Sequence, residues 1–172
     1  MAFRPRSGPF AASVLGTALL ALGCYSFSSG GGFPSDVRTV YIAPLENRTV
    51  QFDLGDQLFA KMTEVLPRSL GVRPAGEQVA DAIIRGRIIR YDDMAQAYQP
   101  GQQGSVQVLQ NQVSIVVEIQ IIDVKRNEIL WESSGVTGRG EYRPDTQNDR
   151  VAWTKAIDTL IQQIVDGAQA QW

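Results

Sequence analysis

The residues that most often carry chemistry are scarce in this sequence. Its 172 residues include no histidine and a single cysteine, Cys24. Histidine is the commonest general base and metal ligand, and one cysteine forms neither an intramolecular disulfide nor a cysteine-cluster metal site. Asp92 and Asp93 are a candidate acid and base, but neighbouring strand residues point to opposite faces and cannot flank one bond. We therefore expect no enzyme activity, no metal and no cofactor; a periplasmic hydrolase would need a carboxylate pair that the sequence does not offer.

Charge and length narrow the remaining classes of protein. The chain has 16 basic and 18 acidic residues, for a formal net charge of −2, and two of the basic residues, Arg4 and Arg6, lie in the first segment. A nucleic-acid-binding domain normally presents a basic face, so we expect no nucleic-acid partner. Apolar residues make up 44% of the chain, which is enough for one compact domain with a buried core.

The first 23 residues are typical of a secretory signal. Arg4 and Arg6 precede an apolar run from Phe10 to Leu22, and no acidic residue occurs before Asp36. The apolar run is shorter than the roughly 20 residues that span a bilayer as a helix. We therefore assign residues 1–23 to a cleaved signal peptide.

The end of this segment predicts a lipid anchor. The residues Ala21-Leu22-Gly23-Cys24 resemble a bacterial lipobox, and that resemblance implies a lipidated Cys24 as the first mature residue. The alternative is an inert, buried cysteine behind an ordinary signal peptide. Two or more acyl chains give stable membrane attachment. Tyr25 stands where an aspartate would favour the inner membrane, so we expect an outer-membrane location, with residues 24–36 as a glycine-rich tether.

Hydrophobic periodicity predicts the fold of residues 37–167, followed by a tail at 168–172. Apolar residues at helical spacing predict two amphipathic helices, and alternating residues predict strands. The expected fold class is α+β: a two-layer sandwich in which the helices cover one face of a four-stranded, mostly antiparallel sheet. The element order is β-α-β-β-β-α, with the elements at Val37–Ala43, Leu54–Leu66, Asp81–Tyr91, Val106–Val124, Glu128–Gly138 and Arg150–Val165. Asp53 is the expected cap of the first helix, and residues 94–105 are the expected hairpin loop.

Two surfaces are candidates for partner binding. A strand from Val106 to Val124 exceeds the usual strand length, so it must bend or project, and a projecting hairpin can recruit another chain by strand pairing. The face of the sheet away from the helices carries Ile83, Ile89, Val116 and Ile122. This pattern fits either a partner-binding face or ordinary scattered apolar residues.

Four segments together resemble the lipopolysaccharide-assembly lipoproteins of the LptE-like family, from Cys24 to about Val165. They are Cys24-Tyr25-Ser26-Phe27-Ser28, residues 40–49 (VYIAPLENRT), residues 80–88 (ADAIIRGRI) and residues 128–132 (EILWE). The resemblance implies two helices on a four-stranded sheet, an outer-membrane β-barrel partner of the LptD type that the protein plugs, and possible contact with lipopolysaccharide. A lipoprotein activator of cell-wall synthases is the alternative, because some open with a strand and a similar loop.

Lipopolysaccharide carries phosphates, which arginine and lysine bind well. No lysine or arginine occurs between Asp92 and Val124, so the candidates for lipopolysaccharide or partner contact lie outside that stretch. They are Arg90, Lys125, Arg126, Arg139 and Arg143. Solvated surface charge is the competing interpretation for each of them.

Overall fold

The computed structural model describes residues 34–100 and 106–171, all within one compact unit that begins at Gly31. The signal segment, Cys24 and most of the tether lie outside the described residues. The strands and helices are β1 (Thr39–Ile42), β2 (Glu46–Asn47), α1 (Phe52–Ser69), β3 (Arg73–Pro74), β4 (Ala82–Pro100), β5 (Val106–Asp123), β6 (Glu128–Tyr142) and α2 (Asp149–Ala170).

The strands form one mixed, six-stranded sheet in the order β3-β1-β4-β5-β6, with β2 also paired to β4. β1 runs parallel to β3 and β4, while β4, β5 and β6 form an antiparallel meander. The parallel pair follows from the chain order, since α1 carries the chain from β1 back to the same end of the sheet. The α+β class and the two helices are confirmed, but the expected four strands are wrong by two. β2 and β3 have two residues each, too short for any visible alternation.

Both helices pack on the same face of the sheet. Helix α1 buries an apolar stripe at helical spacing: Leu54, Leu58, Met62 and Leu66. It runs through Pro67 to Ser69, because proline removes a hydrogen bond only from the last turn. The expected cap is wrong: the N-cap is Gln51, which makes no side-chain cap, and Asp53 lies in the first turn.

Helix α2 lies unusually close to β6. A Cβ added at Gly138 would lie 2.0 Å from the Ala156 carbonyl oxygen, and one at Gly140 would lie 1.9 Å from that of Ala152. The helix backbone therefore rests directly on two glycines of the strand. The helix buries Trp153, Ile157, Leu160, Ile161 and Ile164, as the sequence stripe predicts, and extends to Ala170 with Ala168 buried in the segment expected to be a tail.

The β4–β5 hairpin continues past the end of β6. β5 pairs with β6 only as far as Asn111–Tyr142, whereas β4 and β5 remain paired out to Pro100–Val106. The expected loop at 94–105 is therefore wrong for residues 94–100, which are strand because pairing with β5 overrides their weak β propensity. We call residues 94–100 and 106–110 the ribbon. β4 also contains a register shift between Ile88 and Arg90, which inserts one extra residue, Ile89.

Candidate interaction surfaces

The sheet face away from the helices carries rows of polar side chains across the strands. Arg85 Nε donates to Gln120 Oε1 at 3.1 Å, and Gln120 Nε2 donates to Glu132 Oε2 at 3.1 Å. These three residues occupy opposed positions on β4, β5 and β6. Arg87 forms a hydrogen-bonded ion pair with Glu118 in the next row. We call this surface the open face.

The open face is concave. A depression of about 710 Å³ lies over the central strands, lined by Glu46, Arg85, Gly86, Arg87, Glu118, Ile119, Gln120, Glu132, Ser133 and Ser134. At its rim Arg48 pairs with Glu46 at 2.9 Å. This hydrogen bond is the main reason that the pKa of Glu46 is lowered and that of Arg48 is raised. Both signs of charge alternate here, so the surface favours a polar partner over an apolar one.

The apolar residues of this face are mostly covered by their neighbours. Val116 is only 6% exposed, and Ile83, Ile89 and Ile122 are half-buried. They form no broad apolar patch, so a partner would meet mainly the polar rows.

Two of the predicted cations lie in the β5–β6 turn, where they bind acidic residues that precede β4 and β1. Lys125 Nζ lies 2.5 Å from Asp81 Oδ1, and Arg126 pairs with Asp36. The other Asp81 oxygen accepts from the Arg38 and Thr39 main-chain N–H groups at 3.0 Å each. The pKa of Asp81 is held well below its usual range, first by the Lys125 hydrogen bond and then by Thr39 and Arg38. The ion pair also raises the pKa of Lys125.

The same turn is shaped by a buried carboxylate. Asp123 is 2% exposed, and its Oδ1 accepts from the main-chain N–H groups of Lys125 at 2.8 Å and Arg126 at 3.0 Å. Asn127 adopts a φ of 52°, a left-handed conformation that asparagine tolerates well. The two cations are therefore positioned by turn geometry and held by intramolecular partners.

The other three predicted cations are separated along the sheet. Arg90 lies 3.7 Å from Asp92, and Arg143 lies 3.6 Å from Asp145. Arg139 is an exposed residue of β6, opposite Ser114, and within the described ranges it has no carboxylate within 4 Å. The five candidates thus do not converge on one site.

A polar cluster lies at the base of the ribbon, and no pattern in the sequence predicted it. The Tyr142 hydroxyl donates to Asp93 Oδ2 at 2.8 Å, and Asn111 Nδ2 donates to the Tyr142 oxygen at 2.9 Å. Trp153 Nε1 donates to the Tyr91 hydroxyl at 3.0 Å, with the rings in an edge-to-face contact. Burial raises the pKa of both tyrosines, and Asp93 raises them further.

The comparison with protein families is decisive. The family model LptE, described as lipopolysaccharide-assembly, matches residues 37–167. The chain belongs to the LptE lipopolysaccharide-assembly family. The matched range covers the whole sheet and all of α1, and it ends within α2, so the resemblance noted in the sequence is confirmed. No curated protein matches the sequence.

Solved structures with TM-scores of 0.50 and above share the fold of this LptE-family chain at low identity. A protein from Xanthomonas campestris is 7% identical over 81% of this chain and 87% of its own, with a TM-score of 0.51. An uncharacterized lipoprotein B from Nitrosomonas europaea is 14% identical over 81% and 86%, with a TM-score of 0.50. A PelC dodecamer from Paraburkholderia phytofirmans is 18% identical over 77% and 92%, with a TM-score of 0.48.

The described part of the LptE-family chain contains no cluster of three or more residues suited to bind a metal. Asp92 and Asp93 are engaged separately, with Arg90 and with Tyr142 and Asn111 respectively. Within residues 34–100 and 106–171, neither helix is long and apolar enough to cross a membrane.

Proposed function

We propose that this chain is a non-catalytic outer-membrane lipoprotein, anchored through Cys24, that assists lipopolysaccharide assembly by plugging a β-barrel of the LptD type. The observation that carries the proposal is the family match over residues 37–167. The molecule works by contact with its partner, and the open face is the surface that meets the barrel wall.

The polar character of the open face supports this orientation. The lumen of a large outer-membrane barrel is lined with polar side chains, whereas its outer surface is apolar. The hydrogen-bonded rows of Arg85, Gln120 and Glu132 and the ion pair of Arg87 and Glu118 match such a lining. Helices cover the opposite face, so the open face is the side of the sheet available to a partner.

Direct contact with lipopolysaccharide phosphates is a narrower part of the proposal. Four of the five candidate cations already have an acidic partner, whereas Arg139 is exposed and has none among the described residues. We assign Arg139 as the phosphate contact if the glycolipid is bound directly.

Crosslinking in intact cells tests the barrel contact. A photoreactive amino acid replaces Ser134, which lines the depression, and in a matched control it replaces the exposed Asp166 of α2. Membranes are extracted in mild detergent and the crosslinked partners are identified. We expect a β-barrel protein from the Ser134 position.

Each other outcome contradicts a defined part of the proposal. Crosslinks from Asp166 alone would place the helices against the barrel and reject the open face. Recovery of a cell-wall synthase, or of a monomer without partner, would reject the barrel role. The anchor is tested by Cys24→Ser, which should move the protein out of the membrane fraction; acyl groups absent from the mature Cys24 by mass spectrometry would reject it.

A further inference from the structure

The two lateral edges of the sheet are each partly blocked against strand pairing. At one side β3 is two residues long and ends in Pro74, and short strands and proline are common ways to block an edge. At the other side α2 reaches over β6. Gln163 Nε2 donates to the Thr137 carbonyl oxygen and Lys155 Nζ to that of Glu141, each at 3.1 Å. These carbonyl groups would otherwise be free to pair with a new strand.

The outer edge of β4 is open beyond β2. β2 pairs with β4 only at Arg87 and Ile88, and Arg48 N donates to the Ile88 carbonyl oxygen at 3.0 Å. Within residues 34–100 and 106–171, no strand pairs with that edge from Ile89 to Pro100. We call residues 89–100 the free edge.

From Met94 to Pro100 the free edge lacks the charges that usually protect such a surface; its charged residues, Arg90, Asp92 and Asp93, all precede Met94. The sequence from Met94 to Val117 contains no charged residue, and seven glutamines occur between Met94 and Gln112. Charged side chains on edge strands prevent unwanted pairing with another chain. Their absence from residues 94–100 marks this part of the edge as one that accepts a partner strand.

Exposed apolar side chains are frequent in the ribbon and in the segment that follows β2. Of the eight most exposed large apolar residues in the described chain, five lie in the ribbon or in the segment that follows β2: Val50, Phe52, Met94, Tyr98 and Val106. Phe52 is 86% exposed and Val50 is 80% exposed. Strand addition takes its affinity from main-chain hydrogen bonds and its specificity from such side chains.

We propose that the free edge binds an extended, uncharged segment of the barrel partner by strand addition. This inference rests on the proposed function. A closed barrel wall has no unpaired strand edges, so the bound segment is one that lies outside the wall. The ribbon is also at the end of the sheet opposite Asp36, where the tether joins the domain, so it points away from the anchored end.

A second copy of the chain fits this edge less well. Two identical edges related by a two-fold axis run antiparallel, so the two domains point in opposite directions. At about 3.3 Å per strand residue, the points where the two tethers join their domains then lie roughly 86 Å apart. A tether of 13 residues, 24–36, spans at most about 47 Å. Both anchors would reach one bilayer only if both domains lay flat on it, which a barrel plug does not do.

One substitution can remove a donor from the free edge while leaving the β4–β5 ladder intact. Ile88 pairs with Val117 of β5, and Ala95 pairs with Asn111, which lies six residues from Val117 on the same strand. Because alternate residues of a strand share one orientation, Ala95 directs its main-chain groups to the same outer edge as Ile88. The Ala95 carbonyl oxygen also accepts from the exposed Tyr98 hydroxyl at 3.4 Å. Ala95→Pro therefore blocks the outer edge, and Ala95→Ser is its matched control.

A second pair of variants tests the edge through charge. Met94→Lys places a cation on the free edge, where 57% of the native side chain is exposed. Ile129→Lys makes the same kind of change at the opposite end of the sheet, where 50% of the side chain is exposed. Full-length lipidated variants are captured in mild detergent, the barrel protein that copurifies is quantified, and unfolding temperatures are compared.

We expect Ala95→Pro and Met94→Lys to reduce recovery of the barrel about tenfold, while Ala95→Ser and Ile129→Lys leave it unchanged. Unchanged recovery with both edge variants would overturn the strand-addition proposal but leave the barrel role intact if Ser134 still crosslinks. Loss of the barrel from every variant and from the native chain would reject the proposed function itself. A native dimer that both edge variants dissociate would assign the edge to a second copy and overturn the proposal.

Discussion

The helix-covered body of the sheet and the ribbon beyond it are built from the same two strands but differ in what their side chains do. In the body, β4 and β5 bury Ile84, Ile88, Ile115 and Ile119 completely, and ion pairs such as Arg87–Glu118 link neighbouring strands. In the ribbon, large apolar groups are exposed and charge is absent. The comparison predicts that stability resides in the body, whereas the ribbon adds little to stability and is the part proposed to bind a partner strand.

The largest loss of stability is expected from a cavity in the body. Leu58 is fully buried in α1, so Leu58→Ala should lower the free energy of unfolding by about 2–5 kcal/mol. Urea denaturation measures the change. Phe52→Ala, at an exposed position of the same helix, should change it little; equal losses would show that Phe52 also packs into a core.

The close contact of α2 with β6 gives the next largest effect. Gly140→Ala would bring a Cβ to 1.9 Å from the Ala152 carbonyl oxygen, and relieving that overlap should cost about 1–3 kcal/mol. Gly135→Ala is the control, because no atom lies within 4 Å of its added Cβ. If Gly140→Ala unfolds at the same temperature as the native chain, the close contact between α2 and β6 is contradicted.

Substitution of Asp81 tests how much the contacts at the β5–β6 turn contribute to the stability of the body. Asp81→Asn removes the carboxylate that binds Lys125, Thr39 and Arg38, and the unfolding temperature at pH 7 should fall by less than in Gly140→Ala. The folded pKa of Asp81 is depressed, so its stabilisation is fully present above the unfolded pKa of about 3.9. It is lost as the pH falls below that value toward the folded pKa.

The gap in unfolding temperature between native and Asp81→Asn should therefore close in acid. Asp145→Asn, at an exposed ion pair after β6, serves as the control and should show little gap at any pH. A gap for Asp81→Asn that stays constant from pH 7 to about pH 2 would show that the carboxylate charge plays no part.

The smallest effect on stability is expected in the ribbon. Tyr98 is 60% exposed, so Tyr98→Ser should alter the free energy of unfolding by no more than about 0.5 kcal/mol. Chemical denaturation followed by circular dichroism measures the change. A loss above 1 kcal/mol would mean that the ribbon stabilises the fold, and would weaken the division between the two regions.

Much of the body could be predicted from local patterns, and the ribbon could not. The stripe from Trp153 to Ile164 and the alternation in β5 follow from periodicity, since each element buries one face. Residues 94–100 have little β propensity and adopt strand geometry only because β5 pairs with them. The partners of Lys125 and Arg126 are residues 44 and 90 positions away, so pairing of these cations depends on the fold and is invisible in the sequence alone.

Ile89 lets β4 carry one extra residue without losing its pairing with β5. As the extra residue opposite Val117 and Val116, it changes the alternation of β4 halfway along the strand. Deleting it would make Ile88–Val117 and Arg90–Val116 consecutive pairs and leave every later side chain of β4 on its present surface. The orientation of the ribbon therefore depends on its pairing with β5, and one residue of strand length before it can be lost without turning Met94 to the opposite side.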